Sequence, residues 1–252
     1  MKTLIALIRR EILEHKNIWR VPIILIGLSL LVKLSLMFGN LAFDLDVPDQ
    51  FQFDDDIDAV VSGVIAQALN VMNYIIMLSM FVVAIFYALT SLYNERQDQS
   101  VLFWRSLPIS DSMTVASKWL VALLLIPVAI IVCQAMVSIL LLGGDSLNFL
   151  ANYYSASLVG LGKTLFWSML PIVAWCVFCS EVASKNPFLL AIMAPIILIV
   201  VDKLFLNGVL SQTLLINRLT GVSEYTPGLL VSGMIFSGVC FAVTVIKRSQ
   251  RI

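Results

Sequence analysis

Residues 93–111 read YNERQDQSVLFWRSLPISD, and they separate two long apolar runs of the chain. The stretch surrounds the aromatic pair Phe103 and Trp104 with five charges, which are carried by Glu95, Arg96, Asp98, Arg105 and Asp111. A turn within lipid would not hold so many charges without partners. A simple solvated loop would not need two adjacent large aromatic rings. The pattern therefore favours a segment in water that also makes a contact.

The composition of the chain indicates a membrane protein. Hydrophobic residues make up 60 % of it and charged residues 13 %, against about 45–50 % and about 25 % in soluble domains. Six apolar runs approach the roughly 20 residues that cross a bilayer, and they cover about residues 21–39, 71–92, 119–142, 156–179, 187–206 and 229–246. None alternates as membrane β-strands do. The predicted fold is an all-α polytopic membrane protein with six transmembrane helices.

The distribution of Lys and Arg predicts how these helices are oriented. Of the 16 basic residues, 12 lie in the N-terminal segment, the second and fourth connections and the C-terminal tail. The opposite side holds only Lys203 and Arg218, while Lys33 and Lys163 fall within spans. Basic residues concentrate in cytoplasmic loops. Both termini and residues 93–118 are therefore expected in the cytoplasm.

The first 20 residues form a separate predicted element. On a helical wheel they gather apolar side chains within about 100°, opposite several polar residues; the apolar members are Leu4, Ile5, Ile8, Ile12 and Trp19. Residues 1–20 are predicted to form an amphipathic helix in the cytoplasmic headgroup layer. The alternative is a soluble helix that packs on a partner.

The predicted first external loop, residues 40–70, contains seven aspartates and no Lys or Arg. A calcium site is one interpretation, but the spacing does not fit the twelve-residue calcium loop, and no metal site is predicted. Capping of a helix N-terminus is the stronger interpretation. The second helix is therefore expected to begin near Asp56 and to extend beyond the outer membrane surface.

Several motifs of this chain could suggest nucleotide binding, catalysis or redox chemistry, but none fits the pattern that such a function needs. The string SLVGLGKT ends in Gly162-Lys163-Thr164, but Ser157 stands where a phosphate-binding loop needs its first glycine. His15 is the only histidine, so His-dependent triads are excluded. Cys176 and Cys179 fit two small core thiols better than a redox or metal pair. No enzyme activity, catalytic residue or nucleotide site is predicted.

Two lysines within the spans leave two interpretations open. Lys33 and Lys163 both lie close enough to the predicted outer surface for their ammonium groups to reach it. Alternatively, they line an outward-facing substrate pathway and attract an anionic cargo.

The order of these features resembles the ABC-2 type permease family, the membrane subunits of ATP-driven exporters. The sequence similarity lies in Tyr93–Lys118. Glu95 comes directly after the second span, and the stretch Leu107-Pro108-Ile109-Ser110 comes after Glu95. Lys118 then lies where the chain enters the third span. Pro108 is expected to end a short helix. Ser110 or Asp111 is expected to cap the next one.

The resemblance implies a permease that works as a homodimer or heterodimer in a bacterial inner membrane. Two copies of a separate ABC ATPase would bind ATP and Mg²⁺, so this chain would need neither a cofactor nor nucleic acid. Residues 93–118 would couple the permease to the ATPase. Residues 207–227 would fold back into the outer membrane face. The coupling residues would be Glu95, Arg96, Asp98, Leu102, Phe103, Arg105, Pro108 and, in the link 180–186, Glu181.

Two other functions compete with this hypothesis. A non-transporting scaffold or sensor accessory protein would use the same cytoplasmic segment to hold a partner. A stand-alone carrier or channel is less favoured, because carriers commonly show internal repeats and none is evident here.

Overall fold

The computed structural model describes residues 2–37, 57–98, 110–142, 169–205, 207–208 and 227–250, and these residues contain helices and no strand. The chain divides into two compact units by its internal contacts. Unit 1 contains Met1–Lys16, Val82–Pro127 and Ser155–Ile252, and unit 2 contains Asn17–Phe81 and Val128–Tyr154. The all-helical fold class is therefore confirmed.

The N-terminal part forms two helices. Helix α1 spans Lys2–Glu14 and α2 spans Asn17–Met37. The predicted boundary after residue 20 is thus displaced, because the second helix continues past the apolar run into its polar flank. Leu7 of α1 is buried while Ile5 and Leu13 stay exposed, so α1 presents apolar side chains on more than one face.

Helix α3 spans Ile57–Gln97, which is 41 residues. It begins one residue after Asp56, which confirms the start predicted from the aspartate cluster. At 1.5 Å per residue it is about 60 Å long, roughly twice the hydrocarbon thickness of a bilayer. Of the predicted external loop, residues 40–56 lie outside the described residues, and residues 57–70 form the first 14 residues of α3.

Helices α4 (Asp111–Leu120) and α5 (Ile126–Leu142) follow one another through a π turn at Val121–Leu125. The Ser110 hydroxyl caps α4 and accepts a hydrogen bond from the Met113 N–H at 3.3 Å, as the sequence predicted. Pro127 explains the π turn, because its ring would collide with a carbonyl of a regular α-helix. The wider turn bonds the Ile126 N–H to the Val121 carbonyl instead.

Three further helices complete the described chain: α6 (Leu170–Val182), α7 (Pro187–Phe205) and α8 (Pro227–Gln250). Within unit 1, α6 packs against α8 and α7, while α4 packs against α1 and α8. Aromatic pairs mark these contacts, such as Trp119 of α4 against Phe241 of α8, with ring centroids 5.2 Å apart. The cysteines are buried and free.

Five described helical stretches are long and apolar enough to cross a membrane, and they are Asn17–Leu34, Val71–Gln97, Asp111–Leu141, Pro187–Phe205 and Leu230–Gln250. Helix α6 is apolar but shorter. It covers the end of the predicted fourth span, whose earlier residues lie outside the described part. The region 207–227 is described only at its ends, where Asn207 and Gly208 take positive φ values of 54° and 82°.

Candidate functional site

A buried group of charges joins four helices of unit 1, and we call it the ionic cluster. It contains the cations of Arg10, Lys118 and Arg248 and the carboxylates of Glu11, Glu95 and Asp111. These residues come from α1, the end of α3, α4 and the end of α8. Charges are rarely buried unless they are paired, so the cluster requires all four helices to pack together.

Lys118 lies at the centre of the ionic cluster. The residue is fully buried, at 0 % exposure. The ammonium group lies 2.8 Å from Glu11 Oε1 and 3.1 Å from Glu95 Oε1. Its Nζ also donates to the Ser91 carbonyl at 3.1 Å. One cation therefore holds carboxylates from α1 and α3, and these would repel each other in its absence.

Glu95 connects the centre of the cluster to the C-terminal helix. Its Oε2 accepts a hydrogen bond from Arg248 Nη2 at 3.1 Å, and its Oε1 contacts the guanidinium of Arg10. Arg248 also donates through Nε to Asp111 Oδ1 at 3.2 Å. The carboxylate of Glu95 thus faces three cations. Such charge-assisted hydrogen bonds are stronger and more directional than neutral ones.

Glu11 anchors the amphipathic helix to the cluster through a second set of contacts. The Tyr87 hydroxyl donates to Glu11 Oε2 at 2.9 Å. His15 Nε2 lies 3.7 Å from the same oxygen, and the rings of His15 and Tyr87 meet edge to face at 4.7 Å. Glu11 is buried although it belongs to a helix at the chain terminus. This helix is therefore fixed to the bundle by a carboxylate as well as by apolar contacts.

The pKa values of two basic groups, His15 and Arg10, shift in opposite directions. Burial lowers the pKa of His15 below its usual 6.5; Glu11 acts against this and Lys118 adds to it. The imidazole is consequently neutral at pH 7. Burial would also lower the pKa of Arg10, but the carboxylates of Glu95, Glu11 and Glu14 outweigh it and raise the pKa. Arg10 therefore stays charged.

Hydrogen bonds outside the ionic cluster fix the end of α3 to the end of α6. Arg96 donates to the Ala183 carbonyl at 2.9 Å and to the Ser180 carbonyl. These carbonyls belong to the last turn of α6, where helix carbonyls lack partners of their own and attract cations. The Tyr93 hydroxyl donates to the carbonyl of Lys185. Arg96 and Tyr93 therefore hold the link 180–186 against α3.

The predicted coupling residues that the structure describes lie in different environments. Glu95 is in the ionic cluster, Arg96 caps α6, and Asp98 is exposed one residue beyond the end of α3. Glu181 is buried in α6. That helix ends at Val182. The other predicted coupling residues, Leu102, Phe103, Arg105 and Pro108, lie outside the described residues.

The two lysines of the predicted substrate pathway can be followed only in part. Lys33 is partly buried in unit 2, and its ammonium donates to the Leu140 carbonyl in the last turn of α5. It therefore neutralises the negative end of that helix. Lys163 lies outside the described residues. The structure leaves the transport role of both lysines as a prediction.

Sequence reasoning did not single out Glu11 or Arg248 as site residues. Arg248 entered only the count of basic residues, and Glu11 is one polar position of an amphipathic helix. The Arg248–Glu95 pair spans 153 residues of sequence. One local signal was available: Glu11 follows the buried Leu7 by four positions, which puts both on one face of α1.

The fold and the cluster define a multi-pass membrane protein whose helices are tied together at one end of unit 1. A family model described as ABC-2 family transporter protein matches residues 59–250. The chain belongs to this family, as the sequence resemblance predicted. Proteins of this family are membrane components of transport systems. No curated protein and no solved structure matches the chain.

Proposed function

We propose that this chain is the permease subunit of an ATP-driven exporter and that a separate ABC ATPase supplies the energy. The family match over residues 59–250 carries this proposal. ATP and Mg²⁺ would bind to the partner ATPase, of which two copies are expected. The permease would work as a dimer in the bacterial inner membrane and form the route for the cargo.

The proposed topology has six spans, with both termini in the cytoplasm. Five described helices are long enough to cross a membrane, and α6 would be the second half of a sixth span that begins before residue 169. The excess of Lys and Arg on one side supports the orientation. Residues 93–118 would then face the cytoplasm, where an ATPase could reach them.

The coupling role of residues 93–118 is supported by the way this segment is anchored. Glu95 precedes its central part, while Asp111 and Lys118 follow it, and all three belong to the ionic cluster. Both ends of the segment are therefore bonded to each other and to α1 and α8. A displacement of the segment by an ATPase would move these helices together, because ion pairs in a buried site resist separation.

The test of this function is complex formation with an ABC ATPase from the same genome. Asp98 is the best residue for a charge reversal, since it is exposed and lies in the predicted coupling set. Glu95 is a poor choice because its substitution would disrupt the ionic cluster as well. We expect the full-length chain to co-purify with the ATPase and to stimulate ATP hydrolysis. Asp98→Lys and Phe103→Asp are expected to weaken both.

The matched control is Lys16→Glu, a charge reversal of equal size at an exposed residue outside segment 93–118. It is expected to leave the complex unchanged. Equal binding by wild type, Asp98→Lys and Phe103→Asp would contradict the coupling role. A stable complex that never couples ATP hydrolysis to transport would favour the scaffold or sensor alternative.

A further inference from the structure

A seam of polar side chains lies between two helices of unit 2. Gln134 Nε2 on α5 donates to the backbone carbonyl of Asn73 on α3 at 3.1 Å. Asn73 and Ser138 are each only 1 % exposed, and Gln134 is 4 % exposed. Both helices are apolar enough to cross a membrane at these positions. The seam is therefore a buried polar contact within the membrane-spanning part of the chain.

Two side chains of this seam lack hydrogen-bond partners in the part of the chain that the structure describes. They are Asn73, through both Nδ2 and Oδ1, and Ser138, through Oγ. Helical serines commonly bond to a carbonyl of the preceding turn, as Ser79 does with the Ile76 carbonyl at 2.9 Å. Lipid offers no hydrogen bonds, so unpartnered groups at this depth are costly to keep.

Helical geometry relates the two seam residues of α5. Ser138 follows Gln134 by four residues, so the two side chains are neighbours on one face of α5. Residues 59–94 and 126–142 contain no charged residue. The seam therefore suits a neutral polar group rather than an ion, which would need a counter-charge in lipid.

We propose that Asn73 and Ser138 form a hydrogen-bonding site for a neutral hydroxyl or amide group of the transported molecule. This proposal rests on the proposed export function and names the part of the route where the cargo is recognised. The carboxamide of Asn73 presents a donor and an acceptor together, and the hydroxyl of Ser138 presents both as well. A hydroxyl or secondary amide can satisfy both halves of the Asn73 side chain, whereas an ester can only accept.

The first measurement asks whether small polar molecules reach the site. The full-length chain with Ser138→Cys is reconstituted in lipid nanodiscs and treated with methyl methanethiosulfonate, and labelling is followed by peptide mass spectrometry. Because the thiolate is the reactive form and needs a polar setting, position 138 is expected to react at least about tenfold faster than the controls. The controls are native Cys133, buried Val137→Cys and exposed Ile139→Cys.

The second measurement asks which chemistry the site prefers. N-octylacetamide and octyl acetate have matched chains, but only the amide can donate a hydrogen bond. We expect the amide to slow labelling at position 138 several-fold more than the ester does. Asn73→Leu is expected to abolish this difference. Thermal melting of Asn73→Leu shows whether that variant is folded, so a loss through misfolding is recognised.

Slow labelling at position 138, equal to that at position 137, would overturn the proposal. Fast labelling with no protection by the amide would also overturn it, since the site would then hold water alone. Both measurements use the permease by itself. Failure to bind an ATPase would therefore contradict the proposed function without altering these results, and the reverse holds as well.

Discussion

The ionic cluster of unit 1 and the polar seam of unit 2 bury hydrophilic groups in different ways. In the cluster, Lys118 contacts two carboxylates and Glu95 faces three cations. In the seam, the Asn73 amide and the Ser138 hydroxyl have no partner among the described residues. Burial of polar groups thus has two outcomes among the described residues. In the ionic cluster, the charged groups pair with one another. In the polar seam, two side chains have no hydrogen-bond partner.

The physical reason for the difference lies in the strength and the origin of the interactions. An ion pair in a low-dielectric site is strong but leaves a high penalty if one partner is lost. A neutral amide without a partner costs less, so a chain can retain it where a ligand will later provide the bond. The paired charges of the ionic cluster fit its proposed role in coupling to an ATPase. The polar seam fits its proposed role in recognising the cargo.

The largest expected effect comes from breaking the cluster with Lys118→Met. This substitution leaves the carboxylates of Glu11 and Glu95 buried and facing each other, so we expect a loss of about 3–5 kcal/mol of stability. Thermal or denaturant unfolding of the purified chain would measure it. The control Lys16→Met removes an exposed lysine and should change stability by less than about 0.5 kcal/mol. Similar behaviour of the two variants would show that the cluster does not hold the helices.

The opposite sign is expected for Asn73→Leu in the seam. Replacing the unpartnered amide with an apolar side chain of similar size removes a desolvation penalty, so we expect a gain of about 1–2 kcal/mol in stability. The bond from Gln134 would remain, because it goes to the backbone carbonyl of residue 73. The same unfolding assay applies. A marked loss of stability would mean that the amide has a structural partner and that the contrast with the cluster is wrong.

A smaller loss is expected at the start of α4, next to the cluster. Ser110→Ala removes the hydroxyl that caps the Met113 N–H, and we expect a cost of about 1 kcal/mol. Ser110→Asp restores an acceptor at the cap and should recover most of it. Hydrogen exchange at the first turn of α4 would report the change locally. Unaltered exchange in Ser110→Ala would show that Asp111 and Arg248 hold this helix end without the cap.

The smallest expected effect concerns pH and His15. Burial lowers the pKa of this group in the folded state, so the unfolded chain binds its proton more readily. Its contribution to stability is therefore present above the unfolded value and is lost as pH falls through the folded value. The groups that act on it are Glu11, Lys118, Glu95 and Arg10.

Melting of wild type and His15→Gln between about pH 7.5 and about pH 5.5 would isolate this contribution, since only histidine changes charge in that window when unperturbed. Wild type is expected to lose more stability on acidification than the variant does. Parallel curves for the two proteins would contradict the neutral state of His15. The comparison also removes contributions from the carboxylates, which both proteins share.

Local features of the sequence predicted the helices well. The aspartates before Ile57 and the serine at position 110 each preceded a helix that starts where expected. Apolar runs located the five candidate spans of the described residues but misjudged where helices begin: α2 starts at Asn17 and α4 at Asp111. The reason is that hydropathy measures the lipid-compatible part of a helix, while hydrogen bonding continues the helix into its polar flanks.

Glu95 illustrates where local reasoning stops. The family resemblance implied that it belongs to the coupling residues, and the structure places it 5 % exposed among three cations. Whether it also takes part in coupling stays a prediction. Sequence shows that a carboxylate follows the helix, but it does not show which cations will surround it.

The sequence by itself determined that this chain is a helical membrane protein, because composition, apolar run length and local caps are properties of neighbouring residues. Its family followed from the resemblance of Tyr93–Lys118 and from the match over residues 59–250. Only the tertiary structure decided which charges meet. Arg248 and Glu95 are 153 residues apart, and Lys118 and Glu11 are 107 apart. The same holds for the seam, where packing of α3 on α5 buried an amide and a hydroxyl that have no partner among the described residues. Such pairings depend on how helices pack in three dimensions, which no local pattern records.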